Sequence, residues 1–130
     1  MSDVVKRALV AGHADFAAGL IGAVEMISGR GDVLVPIQVR GLCGDDIRTL
    51  LLDTCIEHNV RVIFTDLQAG SCTMAARRVL RELGDGVLVA GANLPMLLDF
   101  AMSTNPSAAE AAATAAERGR AAVSIHGAPA

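Results

Sequence analysis

Apolar residues fall into short unbroken runs, separated by longer stretches in which they recur with a helical period. The first run, Leu9-Val10-Ala11, ends abruptly at Gly12-His13, and Phe16, Leu20, Val24 and Ile27 then follow at helical spacing. This reads as a buried strand, a tight turn and a helix. A turn at Gly29-Arg30-Gly31-Asp32 leads into a second strand, Val33 to Val39. Pro36 lies within it and has no N–H to give a ladder, which predicts a position at the edge of a sheet. Arg40 to Asp45 is a polar loop. The helix after it runs to about His58 with Ile47, Leu50, Leu51 and Cys55 on its buried face, and Asn59 suits the left-handed residue that ends it.

Val60 to Thr65 reads as the third strand, with Asp66 at its carboxyl end. Leu67 to Ser71 is a loop that enters a helix from about Cys72 to Leu83. Gly84-Asp85-Gly86 turns into the fourth strand, Val87 to Ala90, and Pro95 stands in the first turn of a short helix after Gly91-Ala92-Asn93. Ser107-Ala108-Ala109-Glu110 is a capping-box pattern opening an alanine-rich helix. Gly119 is expected to stop that helix after about Arg118, and its small side chains predict shallow packing. Ala121 to Ile125 is a last short apolar segment, so residues 120–130 read as a C-terminal strand and tail.

Strands alternating with helices predict an α/β fold: one doubly wound, mostly parallel sheet with right-handed crossovers and helices on both faces. With the second strand at an edge, the strand order is 2-1-3-4. The 130 residues support one domain, 1–130.

That topology gives two side chains a meaning. The chain leaves the first strand in one direction and returns on its other side, so the loops after strands one and three face each other at the switch point. His13 and Asp66 occupy those two loops. A carboxylate that accepts one ring N–H fixes the imidazole tautomer and leaves the other nitrogen free to attack phosphorus. Ser71 adds a hydroxyl at a helix start, either as an N-cap, as a phosphate ligand or as both. The remaining histidines read differently: His58 as a favourable charge at a helix C-terminus, and His126 as part of the tail. Arg77-Arg78 reads as a solvated helix face, and Arg40 as a loop residue.

Composition narrows the classes. The formal net charge of −3 and an aromatic content of 2% give neither the basic footprint nor the stacking surface of a nucleic-acid binder. Three cysteines (Cys43, Cys55, Cys72) without a CxxC pair predict reduced thiols and no zinc site. The most apolar window, Val87 to Met102, is broken by Gly91, Asn93, Pro95 and Asp99, so no membrane insertion is expected. Met1-Ser2-Asp3 does not open a signal peptide, which predicts a cytoplasmic protein. There is no G-x-G-x-x-G or Walker A pattern and no aromatic pair for a flavin, so no cofactor is expected.

Leu9-Val10-Ala11-Gly12-His13 followed by Gly19-Leu20, then Thr65-Asp66 with Gly70-Ser71, then Gly91-Ala92-Asn93-Leu94-Pro95-Met96-Leu97, resemble the enzyme IIA component of the mannose family (mannose, fructose and N-acetylgalactosamine transporters) of the bacterial phosphoenolpyruvate:sugar phosphotransferase system. The resemblance covers almost the whole chain. It implies that His13 accepts a phosphoryl group from phospho-HPr and passes it to an enzyme IIB partner, which serves the membrane components IIC and IID. Asp66 matches the aspartate that hydrogen-bonds the active histidine, and Ser71, with Gly70 and Cys72 beside it, matches the phosphate-holding loop. The family is dimeric with an exchanged C-terminal strand, a role open to Ala121 to Ile125. The chain departs from the pattern in having Ala14 after His13, where glycine is frequent, and Ala69-Gly70-Ser71-Cys72 in place of Gly-Gly-Ser-Pro. The resemblance leaves other outlets for the same chemistry: a regulatory module that senses phosphorylation, or the phosphodonor of a dihydroxyacetone kinase. Retention of a coloured cofactor would instead mark a flavodoxin-like binding domain.

Overall fold

A computed structural model describes residues 4–130, and the reading of Met1-Ser2-Asp3 lies outside them. The elements, in chain order, are β1 (Ala8–Ala11), α1 (Phe16–Ser28), β2 (Leu34–Ile37), α2 (Gly44–His58), β3 (Val62–Thr65), α3 (Ser71–Leu83), β4 (Val87–Ala90), α4 (Leu94–Met102) and α5 (Ala108–Ala121). A single turn of tighter helix, Gly31–Val33, leads into β2. The strands form one parallel sheet in the order β2-β1-β3-β4. This is the expected α/β, doubly wound arrangement.

Parallel strands covered by helices on both faces need apolar residues at every position rather than at alternate ones. The two central strands obey this: every residue of β1 and of β3 is buried. The edge strands are more open, and Pro36 lies exposed in β2 opposite Val10, where its missing N–H faces no neighbour. Alternate side chains of the central strands feed two cores. Ala8, Val10, Val62 and Phe64 pack with α1, α4 and α5, whereas Leu9, Ala11 and Ile63 pack with α2 and α3. Phe64 and Phe100 meet edge-on in the first core with ring centroids 5.0 Å apart. Ile27, though at helical spacing with Val24, is 62% exposed and outside both cores.

Three expectations need correction. β2 and β3 are shorter than predicted, because Val33 belongs to the tight turn before β2 and Val60 and Arg61 precede the ladder. The alanine-rich helix is not shallow: Ala111, Ala112 and Ala115 are buried, because side chains this small let α5 close directly onto α4. Nor does Gly119 end it. A Cβ at that position would stand 2.6 Å from the Met96 Cβ, so glycine here serves a close helix–helix approach, and the helix runs on to Ala121. Residues 122–130 are exposed and form no strand within the single chain. No edge of the chain's own sheet takes them up.

Candidate functional site

At the carboxyl end of β1 the chain turns through Gly12-His13-Ala14-Asp15 into α1, and at the carboxyl end of β3 it turns through Asp66 to Gly70 into α3. Since β1 and β3 are neighbours, with Ala11 opposite Thr65, the residues that follow them are brought face to face. His13 and Asp66 meet as predicted. The His13 backbone N–H donates to Asp66 Oδ2 at 2.7 Å, and ring Nδ1 lies 2.8 Å from the same oxygen.

The protonation pattern follows from the carboxylate. Burial acts to raise the Asp66 pKa, but the backbone and side-chain hydrogen bonds from His13 and its nearby charge outweigh it, and the net shift is downward. An ionised carboxylate has no proton to donate, so Nδ1 carries the hydrogen between them, and whenever the ring is neutral the lone pair lies on Nε2. The Asp66 side chain is 13% exposed and that of His13 61% exposed, so a sheltered carboxylate backs a ring that is open to solvent.

Glycine is required at one point of this geometry. A Cβ at Gly12 would lie 2.8 Å from both Cγ and Oδ2 of Asp66 and 2.6 Å from Phe16 Cδ2, so the carboxylate reaches His13 only because that space is empty. Ala14 takes a left-handed backbone, φ 48°, an unfavourable conformation for an L residue, and it does so at the position where glycine is frequent in the resembling family. The hydrogen bond from Phe16 N to His13 O, 2.9 Å, closes that turn.

The loop after Asp66 is anchored from below. The Thr65 and Thr73 hydroxyls, both buried, lie 2.7 Å apart, and Thr73 Oγ1 donates to the Leu67 carbonyl at 2.5 Å. The Thr65 carbonyl in turn accepts from Gly91 N at 3.0 Å and Ala92 N at 2.9 Å, tying the β4 loop to the same point. Thr73 was not singled out from the sequence. Its signal was there: a hydroxyl on the apolar face of α3, between Cys72 and Ala76, with another at the end of an apolar strand.

The other predicted residues are placed unequally. Gly70 passes beside the imidazole, and a Cβ built on it would come 3.7 Å from His13 Cε1. Gly70, not Ser71, is the residue that caps α3; Ser71 is the first helical residue, exposed, with no side-chain cap bond. Cys72 is 3% exposed and fills the core beneath α2 and α3, its thiol pushed up by burial and by the Asp66 charge. Arg40 pairs with Asp15 at 3.3 Å, both side chains well exposed. His58 ends α2 beside Glu57, at the opposite end of the sheet, and His126 lies in the exposed tail with Ser124. Asn93 shapes the rim after β4 as a structural residue: its Oδ1 accepts from Met96 N at 3.1 Å and its Nδ2 donates to Gly119 O at 2.9 Å.

Among the described residues no three His, Cys, Asp or Glu side chains are grouped to hold a metal, and no helix is long and apolar enough to cross a membrane. What the arrangement provides is a nucleophilic nitrogen, an orienting carboxylate and the start of a helix.

Solved structures with the same fold include the mannose/sorbose-specific IIA subunit of the phosphotransferase system from Enterococcus faecalis, 23% identical over 98% of both chains with a TM-score of 0.79. The IIA protein associated with the fucose utilization operon of Streptococcus pneumoniae is 20% identical over 96% of both chains, TM-score 0.73. The phosphotransferase component EIIA of Streptococcus agalactiae is 22% identical over 87% of this chain and 93% of its own, TM-score 0.73. No curated protein matches by sequence. Residues 7–117 match the EIIA-man family, the fructose IIA component of the phosphotransferase system, and with His13, Asp66 and the loops that hold them inside the matched span, the chain belongs to that family.

Proposed function

We propose that this chain is a cytoplasmic phosphocarrier in which His13 Nε2 takes a phosphoryl group from phospho-HPr and yields it to an enzyme IIB partner of a sugar transporter. The observation that carries this reading is the 2.8 Å contact between His13 Nδ1 and Asp66 Oδ2, on an imidazole that is otherwise largely exposed. In the forward step the Nε2 lone pair bonds to phosphorus as the donor's P–N bond breaks, and the bonding pair returns to the donor imidazole. Asp66 stabilises the positive charge that the His13 ring gains. Donor and acceptor being alike, the exchange is nearly balanced, and the protein's contribution is positioning and electrostatics.

The helix start at Gly70-Ser71-Cys72 lies where the phosphoryl oxygens come to rest. The exposed Ser71 hydroxyl and the first N–H groups of α3 receive them, while Cys72 contributes its backbone rather than its buried thiol. A ring as open as that of His13, with exposed Leu67 and Met74 nearby in sequence to the phosphate loop, suits a donor group carried on another protein. The short apolar segment Ala121 to Ile125 serves as a strand exchanged with a second copy, giving a homodimer.

Incubation with phosphoenolpyruvate, enzyme I and HPr tests the reading. The expected product is one acid-labile, base-stable phosphate on His13, absent from a folded His13→Ala variant. Label on His58 or His126, or full labelling of His13→Ala, overturns it.

A further inference from the structure

The end of the sheet away from His13 carries a cleft of about 540 Å³, bounded by the chain entering β1, β3 and β4 and by the start of α5. Its lining holds three cationic side chains, Lys6, Arg7 and Arg61, against one carboxylate, Asp85. This local excess runs against the net charge of −3 of the whole chain.

Lys6 and Arg7 are fixed in place by uncharged backbone carbonyls, whereas Arg61 is also paired with a carboxylate. Lys6 Nζ donates to the Asp32 carbonyl and Arg7 Nη2 to the Asn105 carbonyl, each at 2.5 Å. The Arg7 guanidinium also stands 5.5 Å from the centroid of the Phe100 ring. Arg61 Nη1 donates to the Val60 carbonyl at 2.9 Å, and its Nε meets Asp85 at 3.2 Å. Nη1 also reaches the Cys55 carbonyl at 3.4 Å, and the Asp85 side chain is 70% exposed, so solvent weakens that ion pair. α5 opens on the same cleft at Ala108 and Ala109, and the positive end of its dipole adds to the field there.

The volume lies in the range of small-molecule sites and exceeds what an inorganic anion fills. Val5 and Val87, neither of them fully buried, offer apolar contact. Three cations around one cleft suit a dianion with three terminal oxygens better than a planar carboxylate with two.

We propose that this cleft binds a small phosphate ester, its phosphoryl group among Lys6, Arg7 and Arg61 and its carbon skeleton against Val5 and Val87. The site is separate from the His13 centre and does not depend on the function assigned to it.

Titration of the full ¹⁵N-labelled chain with glycerol 3-phosphate, followed by amide shifts, tests this, with potassium chloride at matched ionic strength and inorganic phosphate as comparisons. The expected result is saturable shifts at Lys6, Arg61, Ala108 and Ala109, with a Kd on the order of 1 mM and weaker binding of inorganic phosphate. Lys6→Glu is expected to weaken the ester about tenfold or more. Ala109→Glu, at an exposed position on the rim, is expected to do the same and serves if Lys6→Glu does not fold. Shifts matched by potassium chloride, shifts confined to Gly12, Gly70 and Ser71, inorganic phosphate binding as tightly as the ester, or a folded variant that binds undiminished each overturn the proposal.

Discussion

The two ends of the sheet both depend on a glycine, for opposite reasons. At the carboxyl end, a side chain on Gly12 would collide with other side chains, those of Phe16 and Asp66. At the amino end, Gly86 has φ +124°, and a Cβ there would meet the Arg61 backbone carbonyl at 2.7 Å and Leu80 Cδ2 at 2.6 Å. That carbonyl also accepts the N–H of Val87 at 2.8 Å. Side chains can swing aside, whereas a backbone carbonyl held in a hydrogen bond at the entry to a strand cannot. Gly12 therefore guards the chemistry and Gly86 guards the fold, and substitutions at the two ends should separate the effects.

The largest effect belongs to the charge at the carboxyl end. Asp66→Asn keeps the shape of the side chain but loses the anion behind the ring, and is expected to slow phosphoryl acceptance by about 10²–10⁴-fold, read from initial labelling rates by phospho-HPr. Next comes the amino end. Gly86→Ala places a Cβ against backbone in a conformation that L residues rarely adopt, and should cost about 2–4 kcal/mol by denaturant unfolding, with labelling per folded molecule intact. Gly12→Ala is expected to reverse that balance: a loss nearer 1–2 kcal/mol, with acceptance falling further than the loss of folded protein explains.

A subtler test concerns protons. The Asp66 pKa lies below its ordinary value of 3.8, so the carboxylate contributes stability that is present above that pH and fades as pH falls through the lower folded-state value. Removing the ring in His13→Ala leaves burial less opposed. The Asp66 midpoint, followed by carboxyl ¹³C shift, is expected to move upward, and an unmoved midpoint would show that the imidazole does not hold the anion. The smallest effect is Ala14→Gly. Relief of the left-handed backbone at φ 48° outweighs glycine's greater freedom when unfolded only narrowly, for a gain of up to about 1 kcal/mol in chemical denaturation.

Much of this was legible before any coordinates. The apolar runs at Leu9 to Ala11 and Val60 to Thr65 read as buried strands, and Pro36 located the edge. From those two facts the strand order, and with it the meeting of His13 and Asp66, followed by topology. The failures have a common physical cause. Alanine and glycine were weighed by how much surface they bury or how they break a helix, whereas Ala111, Ala115 and Gly119 act by what they leave room for. Thr73 escaped notice because a buried hydroxyl announces itself only through its partner, eight positions away at Thr65.

One atom, Asp66 Oδ2, accepts from both the main chain and the ring of His13. The residue is thus gripped as a chelate, and its side-chain torsions are spent before any reactant arrives. Under the proposed function, a side chain so held would lose little rotational freedom on taking up a phosphoryl group, so its readiness would be set during folding rather than at encounter. Lengthening the carboxylate arm by one methylene, as in Asp66→Glu, would keep the anion and dissolve that rigidity.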